Sequence, residues 1–106
     1  MTKFLIRASY TADGVKGLLK DGGTERKKVV EKMISDLGGK VEAFYYGFGC
    51  YDVYSIGELP DEASVAAISF AINATGLVNL STVILLDPSE IDKAVKKTVK
   101  YRSPGN

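Results

Sequence analysis

The chain has 106 residues, a length typical of one domain, and we predict that residues 1–106 form a single domain. With 45% hydrophobic residues, 25% charged residues and a formal net charge of +1, it has no general attraction for nucleic acid or for an anionic membrane. It contains no histidine, which excludes a Ser-His or Cys-His nucleophile pair, a histidine-ligated zinc and a proximal-histidine haem. We therefore predict a globular protein without a metal or another cofactor.

The first third of the chain predicts a strand, a short helical segment and a longer helix. Residues 3–10 alternate between two faces, which is typical of a strand. Residues 11–23 predict a short helical turn or loop, with Asp13 as a plausible cap. Thr24 can then cap a helix over 25–37, in which apolar side chains recur at helical spacing before two glycines end it.

The rest of the chain predicts three more strands and two more helices. In chain order we predict strands at 40–46 and 51–59, a helix from Pro60 to about Thr75, a strand at 77–86, a C-terminal helix at about 88–100 and a loose tail at 101–106. The glycine-rich turn between the first two of these strands favours a hairpin. The helix that begins at Pro60 is apolar on nearly all sides, so we expect it to be covered on more than one side. Asp87 and Glu90 predict a capping box at the start of the last helix.

The order of the elements is β-α-β-β-α-β followed by a C-terminal helix. Right-handed crossovers place both main helices on one face of the sheet. We therefore predict an α+β protein with a ferredoxin-like sandwich and a four-stranded antiparallel sheet in the order 4-1-3-2. The other face of the sheet stays open, although about half of the aromatic and aliphatic side chains of strands two and three must point to it.

An open apolar sheet face predicts association. A large exposed apolar surface marks an interface, and a two-fold partner that packs sheet on sheet is the simplest way to cover it. We predict a homo-oligomer, a dimer or an assembly of dimers, and no nucleic-acid or membrane partner. The alternative is that the C-terminal helix folds across the open face of its own subunit.

Two further features bear on the surroundings of the protein. The single Cys50 cannot form an internal disulfide, and the N-terminal residues read as a strand rather than a signal peptide, which favours a cytoplasmic location. The uncharged stretch from Ala63 to Leu86 is long enough to cross a membrane. Polar residues interrupt it, however, and its pattern changes after Gly76, so we predict a helix, a turn and a strand instead.

Four segments of the chain resemble the GYD-domain family over about residues 4–92. They are YTADGVKGL, GGKVEAFYYGFGCYDV, ELPDE and GLVNLSTVIL. The family is named for a segment that is matched here by Gly49, Cys50, Tyr51 and Asp52. The resemblance implies a ferredoxin-like fold of the dimeric α/β-barrel kind, but no particular reaction. Proteins of that architecture include cofactor-independent oxygenases, haem enzymes and ligand-sensing domains, and the missing histidine disfavours the haem branch.

The candidate site residues form a set of basic, aromatic and acidic side chains: Arg7, Tyr10, Arg26, Tyr46, Tyr51, Asp52 and Tyr54. Arg7 and Asp52 lie on neighbouring predicted strands, so they can form an ion pair if they share a face. Arg26 lies at a position where the family pattern tends to carry a basic residue. The alternative is that Asp52 caps the turn around Gly49 and that Tyr51 packs in the core. An arginine near Asp52 would lower the pKa of its carboxyl, whereas burial alone would raise that pKa toward the range of a base.

Two functions remain open from the sequence. The first is a cytoplasmic homo-oligomer with a small apolar pocket that binds a hydrophobic or aromatic metabolite, with a cofactor-independent oxygenase-like activity if it is an enzyme. The second is a non-catalytic ligand-binding or oligomerisation module. A pocket in which arginine, tyrosine and Asp52 converge would favour the first, whereas the absence of histidine favours the second. An open face filled by interdigitating side chains with no void would indicate a purely structural role.

Overall fold

The computed structural model describes residues 1–106 and contains four strands and four helices. In chain order these are β1 Thr2–Tyr10, α1 Ala12–Asp21, α2 Gly23–Asp36, β2 Lys40–Tyr46, β3 Val53–Leu59, α3 Glu62–Asn73, β4 Val78–Leu85 and α4 Pro88–Val95. The strands form one open antiparallel sheet in the order β2-β3-β1-β4, which is the predicted order 4-1-3-2 counted from the other edge. The predicted α+β class is confirmed, and the arrangement is compatible with a ferredoxin-like fold.

The core lies between one face of the sheet and the helices α2 and α3. On the central strand β1, the buried residues Phe4, Ile6 and Ala8 alternate with half-buried ones, as the period of a strand requires. The eight buried hydrophobic residues come from β1, α2, β3 and α3: Phe4, Ile6, Ala8, Ile34, Val53, Leu59, Val65 and Ile68. The opposite face of the sheet is not part of this core.

The segment between β1 and α2 differs from the prediction. It is a ten-residue helix, α1, rather than a short turn, and its cap is Thr11, whose hydroxyl accepts the N–H of Gly14 at 3.2 Å. The prediction of Thr24 as the cap of the next helix is wrong, because α2 already begins at Gly23. Gly22 makes this possible: its φ of 82° lets α1 end and α2 begin with no loop between them.

The uncharged stretch divides into α3 and β4, as predicted, and no helix in the structure has both the length and the apolar character needed to cross a bilayer. Asp61 caps α3 by accepting the N–H of Ser64 at 2.8 Å. The expectation that α3 is covered on more than one side is wrong for the single chain. Its Val65 is buried, but Phe70 on its outer side is 76% exposed.

The C-terminal helix packs on neither face of its own sheet. It ends at Val95 rather than near residue 100, none of its side chains is buried, and Ile91 and Val95 are 48% and 75% exposed. The capping box is absent, since the Asp87 side chain makes no cap hydrogen bond and Glu90 pairs with Lys93 instead. The molecule is consequently elongated, with extents of 55 × 34 × 23 Å.

Candidate functional site

Asp52 holds the end of β1 to the turn that precedes β3. Its carboxylate accepts the backbone N–H of Tyr10 at 2.9 Å, and its own N–H donates to the carbonyl of Ala8 at 2.7 Å. Its carbonyl accepts the N–H of Gly47 at 2.8 Å, which closes the glycine-rich turn. Asp52 therefore forms neither the ion pair with Arg7 nor the cap at Gly49 that the sequence left open.

Arg7, Tyr51 and Tyr54 lie together on the open face of the sheet. Regular β3 begins only at Val53, so strand alternation does not govern Tyr51. The ring centroids of Tyr51 and Tyr54 are 6.1 Å apart, and the Arg7 guanidinium carbon lies 4.8 Å from the Tyr51 centroid, a cation–π distance. Arg7 also donates to the Ser81 hydroxyl at 3.1 Å, but its buried Nε has no acceptor within the chain.

The other three candidates, Tyr10, Arg26 and Tyr46, lie on the side of the sheet that faces the helices. The Tyr46 hydroxyl donates to the carbonyl of Gly23 at 3.0 Å, which joins the end of β2 to the start of α2. The pKa of Tyr46 is raised to about 12, mainly by burial and in addition by the neighbouring Tyr10, while Arg26 acts in the opposite direction. These three side chains form one cluster at the first turn of α2.

A cavity of about 170 Å³ lies beside this cluster, between the sheet and the helices α2 and α3. Eleven of its thirteen lining residues are hydrophobic, and they come from all four strands and both helices. The two exceptions are Ser55 and Arg26, and the Ser55 hydroxyl already donates to the carbonyl of Ala43 at 2.8 Å. The cavity is thus an apolar space with one charged side chain, Arg26, on its wall.

The structure divides the candidate residues rather than gathering them. Tyr10 and Arg26 line the apolar cavity, and Tyr10, Tyr46 and Asp52 line a shallower groove next to α1. The remaining three, on the open face, are separated from both by the sheet. No group of three or more His, Cys, Asp and Glu side chains is arranged to hold a metal ion.

Sequence reasoning missed most of the cavity wall. Val29, Met33 and Ile72 line it, although their helical spacing indicates only that they face the core. The signal that could have found them is Arg26 itself, one helical turn before Val29 and Val30 on the same helix. A charged residue on the same helix face as a row of buried apolar side chains indicates that the buried face ends there and meets polar surroundings.

The antiparallel sheet, with helices on one face and a cavity beneath them, places the protein in the α+β class with a ferredoxin-like arrangement. The family model described as "GYD domain" matches residues 4–95, and the chain belongs to this family. The resemblance recognised in the sequence is thereby confirmed. Comparison with curated proteins and with solved structures gives no match.

The hydrogen bonds of Asp52 lead to a prediction about its role. Asp52→Ala should lower the free energy of unfolding by about 1–3 kcal/mol, because it leaves the partly buried N–H of Tyr10 without an acceptor. Asp52→Asn keeps an acceptor oxygen and should cost less. Urea denaturation measures both variants, with Asp92→Ala as a control at an exposed aspartate in α4 that forms no ion pair. If Asp52→Ala is as stable as the control, this hydrogen bond does not hold the turn.

Proposed function

We propose that the protein is a homo-oligomer built from dimers, and that each subunit binds a small hydrophobic or aromatic molecule in the cavity between the sheet and the helices α2 and α3. The observation that carries the proposal is the cavity itself, about 170 Å³ in volume with eleven hydrophobic lining residues out of thirteen. A dry apolar cavity of about 150 Å³ is large enough to bind benzene. The volume and the lining therefore favour a ligand with an apolar group about the size of one aromatic ring.

The polar groups of the cavity favour binding and orientation of this ligand. Asp52 is engaged by the backbone of Tyr10, so we do not assign it as a base. In the catalytic form of the proposal, a cofactor-independent oxygenation, Arg26 and Tyr10 would stabilise negative charge that develops on the substrate. Oxygen consumption on addition of a bound ligand separates this form from simple binding.

The open face of the sheet supports self-association. Its side chains include Tyr45, Tyr54 and Val83, which are 71%, 38% and 36% exposed in the subunit. The buried Nε of Arg7 lies on the same face, and a buried N–H without an acceptor costs about 1–3 kcal/mol. A two-fold partner would cover the apolar side chains and supply an acceptor for Arg7.

The C-terminal segment supports the same proposal. Its apolar side chains, Ile91, Val95 and Val99, are 48%, 75% and 79% exposed, and they do not cover their own sheet. This exposed C-terminal segment and the open sheet face belong to the same chain, so a second copy can provide a surface for each. If the cavity binds nothing, these surfaces favour the alternative function, a non-catalytic oligomerisation module.

The exposed Cys50 thiol supports a reducing, cytoplasmic location.

Native mass spectrometry at low micromolar concentration tests both parts of the proposal. We expect a dimer or larger assembly that carries the extra mass of a small molecule. Ile56→Asp, which places a carboxylate at the centre of the open face, should give monomers, whereas Thr24→Asp, the same change of charge on exposed α2, should not. A monomeric wild-type protein would overturn the oligomer, and an assembly without bound mass would favour the oligomerisation module.

A further inference from the structure

We propose that the ligand of the cavity is a monocarboxylic acid with one apolar group about the size of a single ring, and that Arg26 binds its carboxylate. This inference rests on the proposed function, because it names the chemical class of the molecule that occupies the same cavity. Three features of Arg26 support it: its position, the absence of an ion pair and the charges around it.

Arg26 stands at the boundary between the apolar cavity and a neighbouring groove. It is half-buried in the first turn of α2, and together with Tyr10 it lines both the cavity and a second groove, which lies between α1 and the start of β4. This second groove differs from the one that Tyr46 and Asp52 line. It is the one charged residue on the cavity wall. A ligand whose apolar group fills the cavity would thus bring its opposite end to the guanidinium of Arg26.

The guanidinium of Arg26 has no partner within the subunit. The five ion pairs of the protein are all made by lysines, and Arg26 also donates no side-chain hydrogen bond. An arginine offers two parallel N–H groups that match the two oxygens of a carboxylate. An unpaired, half-buried guanidinium beside an apolar cavity is therefore matched by a ligand with an apolar body and a carboxylate end.

The surrounding charges favour a compact head with a single negative charge. Asp13 and Asp21 line the second groove but not the cavity, and Asp13 pairs with Lys16 at 3.7 Å. A phosphate, with nearly two negative charges, would be repelled more strongly by these carboxylates than a head with a single charge. A carboxylate is smaller, carries one charge and is satisfied by one guanidinium.

Binding of phenylacetate and of its neutral isostere phenylacetamide, measured by isothermal titration calorimetry on the full chain, tests the inference. Both contain one ring, and they differ only in the group that would meet Arg26. We expect the wild-type protein to bind the acid at least tenfold more tightly, a factor that corresponds to about 1.4 kcal/mol. Arg26→Met, which keeps the apolar stem, should bind the acid and the amide with affinities within about twofold of each other. Lys27 is an exposed neighbour that does not line the cavity, so Lys27→Met should keep the preference for the acid.

The outcomes separate the inference from the proposed function. Equal affinity for acid and amide in the wild-type protein would overturn the inference and leave ligand binding in the cavity standing. Failure of both compounds to bind at millimolar concentration would overturn the two together. The comparison in the wild-type protein needs no variant, so the inference stays testable if Arg26→Met does not fold.

Discussion

Phe4→Ala should lower the free energy of unfolding by about 3–5 kcal/mol. Phe4 is 1% exposed on the central strand, and its ring lies over Gly57 of β3, where an added Cβ would be only 3.0 Å from the ring. Because Gly57 has no side chain that could move into the space, removal of the ring leaves a cavity that the neighbouring strand cannot fill. Urea denaturation followed by circular dichroism measures the loss.

Leu5→Ala is the matched control for this prediction. Leu5 is the next residue of the same strand, but it lies on the open face and is only half-buried in the single chain. It should cost less than half as much as Phe4→Ala, since less apolar surface returns to water. At a protein concentration at which the chain is monomeric, equal losses at the two positions would contradict a core that lies on one side of the sheet.

Gly14→Ala should lower the free energy of unfolding by about 1–3 kcal/mol. An added Cβ at Gly14 would lie 1.9 Å from the carbonyl oxygen of Leu77, far inside van der Waals contact. That oxygen also accepts the backbone N–H of Thr11 at 3.0 Å, so it cannot move away without breaking the contact between α1 and the start of β4. Thermal or urea unfolding of the variant measures the effect.

Gly17→Ala, one turn further along α1, should have the opposite sign. No atom lies within 4 Å of its added Cβ, and alanine is favoured over glycine inside a helix by about 0.8–1 kcal/mol. Both variants exchange the same residue types in one helix, so their effects on the unfolded chain are similar and the difference isolates the close approach at Gly14. A stabilising Gly14→Ala would mean that α1 does not pack against Leu77 in this way.

The strand order and the helices over the sheet could be predicted because they follow from local patterns. Alternation along β1 and helical spacing along α2 each identify one buried face, and only a few connections then satisfy the handedness of crossovers. The start of β3 could not be predicted, because Tyr51 and Asp52 look like strand residues. Their backbone is held by the bonds of Asp52 to Tyr10 and Ala8, which depend on contacts more than forty residues away.

The candidate site was harder to predict than the fold. Arg7 and Arg26 could both be recognised as candidates, but the face that each occupies depends on the register of β1 and on where α2 begins. The start of α2 was missed, because Gly22 joins α1 to α2 directly through a positive φ that composition does not reveal. The cavity wall is formed by six helices and strands. The spacing of residues within one of them does not show which others it meets.

The central position of β1 has a consequence for how the chain folds. β1 pairs with β3 on one side and with β4 on the other, so that Arg7 lies between Tyr54 and Ser81. Both pairings join residues more than forty positions apart, and such distant contacts slow folding relative to a helical bundle of the same length. Until these pairings form, both edges of an apolar strand stay open to other chains, which exposes the unfolded protein to aggregation.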